Sequence, residues 1–479
     1  MTAYPESSVR KTLADPKLQL AIYSSTGRLM NHRRAQVAPA ALPDYQELRT
    51  QANLVKKHTI ENLDHYLEQF EARVRAHGGA VVFCKDGNDV GDFVLKLAKE
   101  RGARLLVKSK SMTTEEINFN ERLERHGLEA VETDLGEYII QLAHQRPYHI
   151  VAPALHMTRY DVAELFTEKL GVEKETVPEK QAMIARRTLR QKFLTADIGV
   201  TGANFLVADS GAVVLVENEG NARMSTTAPK IHIAVAGIEK LIPRAQDLVT
   251  FLKLLGRSAT GQPLTVYTSF LAGPRRASEI DGPDEFYVLL LDNGRTRLLT
   301  DREKRQSLYC IRCGGCLNAC PVYRKIGGHN YPWVYSGPIG AIITPQYHGV
   351  MHDPWLPFAS SLCGACGEVC PVKIDIPKLL LDLRSEITKA KAREGKGRIE
   401  KLSFRMWAWL MRHPKLYEMA GSMGAGIFGD GERKGWVKRV PGPMNVGPLK
   451  AWMSQREFPA PAPKSFRQLW RERRRTNGA

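Results

Sequence analysis

The sequence predicts an α/β domain that is followed by a cysteine-rich, mainly α-helical domain and a basic helical tail. Short apolar segments rich in β-branched residues alternate with amphipathic segments between residues 80 and 291. Seven of the eight cysteines lie between Cys310 and Cys370, and residues 395–479 contain 18 Lys and Arg against 6 Asp and Glu. These observations divide the chain into four predicted parts: an N-terminal arm (1–42), the α/β domain (43–301), the cysteine-rich domain (302–394) and the tail (395–479).

The composition is typical of a soluble globular protein of two or three domains. The 479 residues are 43% hydrophobic and 25% charged, and the net charge is +18. Residues 1–17 lack the apolar centre of a signal peptide, and no segment approaches the roughly 18 apolar residues of a membrane-spanning helix. We therefore expect a cytoplasmic protein, with a peripheral position at the inner face of the membrane as the alternative.

The N-terminal part predicts an arm and then a long helix. Residues 1–42 are polar and contain several prolines, which favours an extended, irregular arm. Asp44 is the expected N-cap of the helix, with Glu47 completing a capping box. Gly78 and Gly79 are expected to end this helix.

The next segments predict a largely parallel sheet covered by helices. Ser210 and Gly211 separate two apolar segments and predict a hairpin. Helices are expected over 90–101 and 118–126, and after the last cysteine a helix should start near Pro377. The predicted strands are 80–84, 104–108, 129–131, 150–152, 205–209, 212–216, 231–236 and 286–291.

The cysteine spacing predicts iron–sulfur clusters. The first run is Cys310-x2-Cys313-x2-Cys316-x3-Cys320-Pro321, and the second is Cys363-x2-Cys366-x3-Cys370-Pro371. The first run is the bacterial ferredoxin pattern, in which the fourth cysteine ligates the other cluster. The predicted ligands of one [4Fe-4S] cluster are Cys310, Cys313, Cys316 and Cys370, and those of the second cluster are Cys320, Cys363 and Cys366.

The second cluster has only three cysteines, so its type stays open. Either a non-cysteine ligand or water completes a [4Fe-4S] cluster, or the site holds a [3Fe-4S] cluster. Zinc is disfavoured because its sites use paired C-x2-C units, and disulfides are disfavoured in a long chain without an export signal. Cys84 lies in an apolar segment and is expected to be an inert buried thiol.

Two segments of the α/β domain are candidate ligand sites. Lys108 and Lys110 follow a predicted strand and precede a helix, where an anionic ligand is favoured. Glu217 and Arg223 follow the hairpin and are suited to acid–base chemistry or to carboxylate binding. The alternatives are a solvated capping loop for the first segment and exposed ion pairs for the second. His149 and His156 are expected to be structural hydrogen-bonding residues.

Several cofactor and partner classes find no support in the sequence. The G-x-G-x-x-G match at 424–429 lacks a preceding strand, and we find no other nicotinamide motif, no flavin motif and no P-loop. The tail mixes Trp with Arg, as protein interfaces do, and predicts docking onto a partner subunit. A membrane surface and a merely solvated tail are the alternatives. No nucleic-acid recognition motif accompanies the charge, so no nucleic acid is expected.

The order of these parts resembles a known family. The Lys108-Ser109-Lys110-Ser111-Met112 and Gly202-Ala203-Asn204 segments resemble the lactate-utilization (LUD) domain. The cysteine region, with residues 336–341 between its halves, is similar to the ferredoxin modules of anaerobic-type oxidoreductase subunits. Both in this order resemble the lactate utilization protein B family, and the resemblance covers nearly the whole chain.

This resemblance implies a function and a fold. It implies an iron–sulfur electron-transfer subunit of a three-component cytoplasmic system that oxidises L-lactate to pyruvate and so allows growth on lactate. The LUD domain should then be similar in fold to sugar-phosphate isomerases and CoA-transferases of the NagB/RpiA type. The family's cluster ligands correspond to the two cysteine sets given above. The implied partners are the other subunits and, through one of them, the membrane surface or the quinone pool.

Two alternatives to the electron-transfer role remain. In the first, the chain is itself the catalytic subunit and binds lactate in the LUD domain near Lys108, Lys110 and Arg223. In the second, it is a non-enzymatic iron–sulfur sensor or scaffold. Clusters alone do not abstract hydride readily, which favours placing the dehydrogenation on a partner.

Overall fold

The computed structural model describes residues 4–428, 435–437, 440, 442–454, 456–462 and 464–476. The chain divides into two compact units, Met1–Thr388 and Lys389–Ala479. None of the described helices is both long and apolar enough to cross a membrane.

A six-stranded parallel sheet forms the centre of the first unit. Its strand order is β1-β10-β7-β4-β2-β3, and every neighbouring pair is parallel, which confirms the predicted sheet. β7 is buried along its whole length because helices cover both faces of such a sheet. The strands of the first unit are β1 (Ala80–Cys84), β2 (Leu105–Lys108), β3 (Glu129–Glu132), β4 (Ile198–Thr201), β5 (Phe205–Val207), β6 (Ala212–Glu217), β7 (Ile231–Gly237), β8 (Leu241–Ile242), β9 (Tyr267–Leu271) and β10 (Glu285–Leu291).

A second sheet of four strands has the order β8-β5-β6-β9. The predicted hairpin is confirmed, since β5 and β6 pair antiparallel, but it belongs to this second sheet, which the sequence analysis missed. The strand predicted over 150–152 is wrong, because this segment forms bends instead. Pro147 and Pro153 flank the segment, and its apolar Ile150 is buried without strand pairing.

Helices cover the sheets and carry the cysteine region. The helix predicted after the last cysteine is confirmed as α18. The helices that begin in the first unit are α1 (Glu6–Ala14), α2 (Pro16–Val37), α3 (Tyr45–Glu61), α4 (Leu63–Ala76), α5 (Gly87–Arg101), α6 (Met112–Glu116), α7 (Phe119–Glu124), α8 (Leu135–Leu142), α9 (Arg159–Leu170), α10 (Pro178–Thr195), α11 (Asn221–Thr227), α12 (Ala245–Ala259), α13 (Arg295–Leu299), α14 (Gly315–Ala319), α15 (Tyr323–Ile326), α16 (Gly337–His348), α17 (Ala365–Val369) and α18 (Ile376–Arg393).

The N-terminal residues are helical, so the prediction of an extended arm is wrong. Asp15 caps α2 by accepting a hydrogen bond from the Leu18 backbone amide, and Pro16 occupies the first turn. A proline is tolerated there because the amide it lacks has no helical partner anyway. The long helix predicted after Asp44 is interrupted at Asn62, and the Asp44 side chain makes no capping hydrogen bond.

The described part of the second unit is mainly helical. Trp407 and Trp409 of its first helix are more than half exposed. The G-x-G-x-x-G match lies at the end of its second helix, and Gly429 falls outside the described residues. The elements are α19 (Arg398–Met411), α20 (Pro414–Phe428), β11 (Trp436–Val437), α21 (Gly447–Met453), β12 (Phe458–Pro459) and α22 (Phe466–Thr476).

Candidate iron–sulfur centre and the adjoining cavity

The cysteines lie on two loops of the same build. In each loop a glycine with positive φ precedes a five-residue helix, α14 after Gly314 and α17 after Gly364. Cys320 caps the end of α14, and Cys370 caps the end of α17. The short helix carries one cysteine within it and places another at its end, so each loop points sulfurs in two directions.

The sulfurs have neighbours within two sets. Burial raises the pKa of Cys313 to about 12, and the thiolates of Cys310 and Cys370 add to the shift. Burial also raises the pKa of Cys366 to about 12, with further contributions from Cys320 and Cys363. These neighbours fall within the two predicted ligand sets, whose assignment to clusters stays a prediction. Because buried thiols keep their protons, iron binding at these sulfurs must release them.

The two sets approach each other at one point. Burial raises the pKa of Cys316 well above its usual value, and the thiolate of Cys366 adds to that shift along with those of the first set. Cys316 belongs to the first predicted set and Cys366 to the second. The loops therefore hold the two sets side by side.

The spacing of the sulfurs does not fit a single metal ion. Among the His, Cys, Asp and Glu side chains of the described residues, the one group of three with ligand atoms within 4.8 Å of one another is His348, His352 and Asp353. Thiolates on one tetrahedral zinc lie only about 4 Å apart, given Zn–S bonds of about 2.3 Å. No three sulfurs of the seven clustered cysteines, all of which are described, lie within 4.8 Å of one another, and their spacing along the chain fits [4Fe-4S] ligation.

The sulfurs differ in exposure. Four are buried, Cys310 and Cys316 are partly buried, and Cys363 is exposed. No cysteine of the first set is exposed, whereas the second set reaches the surface at Cys363.

The N-terminal helices hold the second loop in place. Arg33 donates from Nη2 to the Val369 carbonyl oxygen at 3.1 Å, and Arg49 donates from Nε to the Cys370 carbonyl oxygen at 2.9 Å. Both arginines are buried. This support was not predicted, because Arg33 and Arg49 stand in ordinary helical sequence and only folding brings them to the second loop.

A cavity of about 280 Å³ lies between the α/β domain and the first cysteine loop. Its lining combines residues that follow β2, β6 and β7 with a residue of the cysteine region. The charged lining residues are Lys110, Asp134, Glu217, Glu219, Lys240 and Arg312. The cavity thus adjoins the loop that carries Cys310 and Cys313.

Two cations on the cluster side of this cavity were not predicted. Lys240 is 7% exposed, and its Nζ makes no hydrogen bond or ion pair within the described chain. Burial and the nearby Arg312 guanidinium lower the pKa of Lys240 to about 8. Arg312 Nη2 lies 3.5 Å from Glu239 Oε1 in a buried ion pair, and the guanidinium packs 4.5 Å from the Tyr335 ring centroid. The Arg312 backbone amide donates to Cys310 Sγ at 3.4 Å. The only sequence signal was the position of Arg312 between two predicted ligands.

The four residues predicted to bind a ligand have separate surroundings. Lys110 and Glu217 line the cavity, whereas Lys108 and Arg223 do not. Lys108 is fully buried, with Nζ 2.8 Å from Glu115 Oε1 and 2.6 Å from Glu132 Oε1. Its charge is neutralised by these two carboxylates, so it is not available to bind an anionic ligand.

Glu217 and Arg223 are joined by the start of α11. The Glu217 carboxylate accepts hydrogen bonds from the backbone amides of Ala222 at 2.8 Å and Arg223 at 2.9 Å. The Arg223 guanidinium lies 5.1 Å from the ring centroid of Tyr267. Glu217 therefore caps a helix while it lines the cavity.

The two histidines have structural partners, as expected. His149 Nε2 is 3.0 Å from Asn318 Oδ1, and His156 Nε2 is 2.7 Å from Gln145 Oε1. Burial lowers the pKa of each to about 3, so both are neutral near pH 7.

Three family models match the chain in order. They are the LUD domain over residues 67–291, the 4Fe-4S dicluster domain over 306–374 and the lactate utilisation protein B C-terminal region over 382–475. The crystal structure of a DUF162 family protein from Deinococcus radiodurans aligns with 48% of this chain and 98% of its own at 13% identity, and its TM-score of 0.29 is too low to bear on the fold.

Full-length relatives carry one name. Lactate utilization protein B of Bacillus licheniformis is 43% identical over 466 residues, covering 97% of this chain and 96% of its own. The protein of that name from Geobacillus thermodenitrificans is 45% identical, covering 91% of this chain and 90% of its own. That from Oceanobacillus iheyensis is 42% identical, with coverage of 97% and 95%. The chain therefore belongs to the lactate utilization protein B family.

Proposed function

We propose that the chain is an iron–sulfur electron-transfer component in the oxidation of L-lactate to pyruvate. The observation that carries the proposal is the packing of α14, which contains Cys316, against α17, which contains Cys366, so that the two cysteine sets are adjacent. Cys310, Cys313, Cys316 and Cys370 would hold one [4Fe-4S] cluster, and Cys320, Cys363 and Cys366 a second cluster of [4Fe-4S] or [3Fe-4S] type. The names of the relatives support lactate as the source of electrons.

The number of electrons released by lactate is consistent with two clusters. Oxidation of lactate to pyruvate releases two electrons and two protons, and each cluster supplies a one-electron acceptor when bound. The first set lies beside the cavity, and the second reaches the surface at Cys363. We infer that electrons enter through the first set and leave near Cys363 to a redox partner.

Anaerobic EPR tests this proposal. The purified chain should show a reduced [4Fe-4S] signal with dithionite and no reduction with L-lactate alone. Adding the other subunits of the system should make L-lactate an effective reductant. Rapid two-electron reduction of the isolated chain by L-lactate would contradict the electron-transfer role.

The cavity favours a second candidate, in which this chain itself binds and oxidises lactate. The unpaired Nζ of Lys240 would attract a small carboxylate on the side that faces Cys310, beside the Arg312–Glu239 ion pair. Lys110 lines the same cavity and would add to the attraction. Hydride removal would still require an acceptor that the sequence motifs do not identify.

Isothermal titration with L-lactate tests this second candidate. Lys240→Gln should weaken binding at least tenfold, and Lys99→Gln, which changes an exposed lysine of α5, should leave it unchanged. Equal affinity in Lys240→Gln and the unmodified protein would remove the cavity from consideration.

We further propose that the protein works in the cytoplasm as part of a multi-subunit system, because thiols that ligate clusters persist in a reducing compartment. The exposed Trp407 and Trp409, among basic residues, are suited to docking on another subunit. The membrane surface and the quinone pool would be reached through such a partner. A NagB/RpiA-type fold for the LUD domain remains part of this proposal.

A further inference from the structure

We propose that Ser360 is the fourth protein ligand of the second cluster. The inference rests on the iron–sulfur assignment of the proposed function and specifies the ligand that the cysteines leave missing. Ser360, Cys363, Cys366 and Cys370 repeat the spacing of the first run, in which the corresponding residues are Cys310, Cys313, Cys316 and Cys320. Ser360 therefore corresponds to Cys310.

The backbone repeats at the same positions. Arg312, two residues after Cys310, has φ +60°, and Leu362, two residues after Ser360, has φ +54°. Left-handed backbone is uncommon for residues other than glycine, so a shared occurrence at one position marks a shared loop shape. The glycines that follow, Gly314 and Gly364, have φ of +72° and +84°.

The hydrogen bonding of the two side chains also repeats. The Arg312 backbone amide donates to Cys310 Sγ at 3.4 Å. The Leu362 backbone amide donates to Ser360 Oγ at 3.1 Å. In the first loop this amide supports a predicted cluster ligand, so in the second loop the same amide holds Oγ in the ligand position.

The ends of the loops agree as well. Cys320 ends α14 with φ −78° and ψ 119°, and Cys370 ends α17 with φ −66° and ψ 117°. Ser360 and Cys310 are both partly buried. The equivalence thus extends from the first ligand position of each loop to the last, with oxygen in place of sulfur at one of eight positions.

The oxygen has a chemical consequence. Ser360 would bind iron as an alkoxide, and its hydroxyl proton would leave to solvent. Iron in these clusters prefers soft thiolate ligands, so the iron at Ser360 would be the most weakly held of the four. The exposed Cys363 lies three residues away and leaves this end of the centre open to solvent. Loss of that iron converts a [4Fe-4S] cluster into a [3Fe-4S] cluster. The same site can therefore hold either of the two cluster types that the sequence leaves open.

A controlled oxidation tests the assignment on the full chain, purified anaerobically with its clusters. Ferricyanide takes one electron as [4Fe-4S]²⁺ becomes [3Fe-4S]⁺ and releases Fe²⁺. The readouts are the EPR signal of [3Fe-4S]⁺ and the iron content per chain. Ser361→Ala is the matched control, because Ser361 is an adjacent, exposed serine whose position does not correspond to a cysteine of the first run.

Ser360→Ala should raise the [3Fe-4S]⁺ signal at least threefold at limiting ferricyanide, and Ser360→Cys should lower it at least threefold. Ser361→Ala should match the unmodified protein. The assignment is overturned if Ser360→Ala and Ser360→Cys both match Ser361→Ala. If Ser360→Ala does not fold, Ser360→Cys decides alone. None of these readouts uses lactate, so failure of the proposed lactate role would leave this result intact, and the reverse also holds.

Discussion

The two cysteine loops have the same backbone conformation but differ in their surroundings. The first loop contains Arg312, a buried cation that lies against both Tyr335 and the cavity. The second loop contains Leu362 at the equivalent position, Ser360 where the first has cysteine, and the exposed Cys363. The shared backbone sets where ligands are placed, whereas the side chains around it make one centre enclosed and charged and the other open.

The largest expected effect comes from removing one ligand in each loop. Cys313→Ala and Cys363→Ala should each remove one cluster with its iron, because each cysteine serves a different set and alanine offers no ligand atom. Iron analysis with EPR after dithionite measures the loss. Cys84→Ala is the control, since Cys84 is a buried thiol of β1, far along the chain from both runs. Intact iron content and signals in Cys313→Ala would refute the ligand sets.

The difference in exposure predicts different rates of cluster loss. In the presence of a chelator and ferricyanide, the second cluster should decay at least tenfold faster than the first, because Cys363 is exposed whereas Cys313 and Cys370 are buried. A time course of the two EPR signals measures the rates. Equal decay of the two signals would show that exposure of one sulfur does not distinguish the loops.

The buried cation predicts a difference in reduction potential. Arg312→Met should lower the potential of the first cluster by on the order of 50 mV, because a positive charge favours the more negative reduced state at an effective dielectric constant of about 20. Leu362→Met is the matched control and should change the second cluster by much less. An EPR-monitored redox titration gives both values. No shift in Arg312→Met would show that this charge does not act on the first cluster.

The smallest expected effect is a pH dependence of L-lactate binding in the cavity beside the first loop. Burial lowers the pKa of Lys240 to about 8, so its charge is present below pH 8 and is lost as pH rises above it. Binding of L-lactate should therefore weaken severalfold between pH 7 and pH 9. Lys240→Arg keeps its charge and should flatten the titration, whereas Lys99→Arg should not. The same slope in Lys240→Arg would assign the pH dependence to another group.

Local patterns predicted much of the fold. The β1 segment and the hairpin were predictable because apolar β-branched runs end at turn residues there. The N-terminal helices were not predictable, because Pro5 and Pro16 look like helix breakers in the sequence. Their positions at the starts of helices make them compatible with helical structure. The strand predicted over 150–152 was wrong because an apolar residue does not by itself indicate a strand. Ile150 is buried by tertiary packing and does not pair in a strand.

The candidate site was predictable only where the chain itself fixes the chemistry. Cysteine spacing predicts two ligand sets, because in the ferredoxin pattern the fourth cysteine of a run ligates the other cluster. Lys240 could not be predicted, because it joins Arg312 only through folding. Lys108 looked like an anion-binding residue, and only the structure shows that Glu115 and Glu132 neutralise it.

EPR of the fully reduced protein tests the central claim most directly, namely that two neighbouring loops hold two clusters close enough to exchange electrons. We expect a spectrum broadened by magnetic interaction between two reduced clusters, and a simple single-cluster spectrum in Cys363→Ala. A spectrum of the unmodified protein that corresponds to one isolated cluster, with iron for only that cluster, would contradict it.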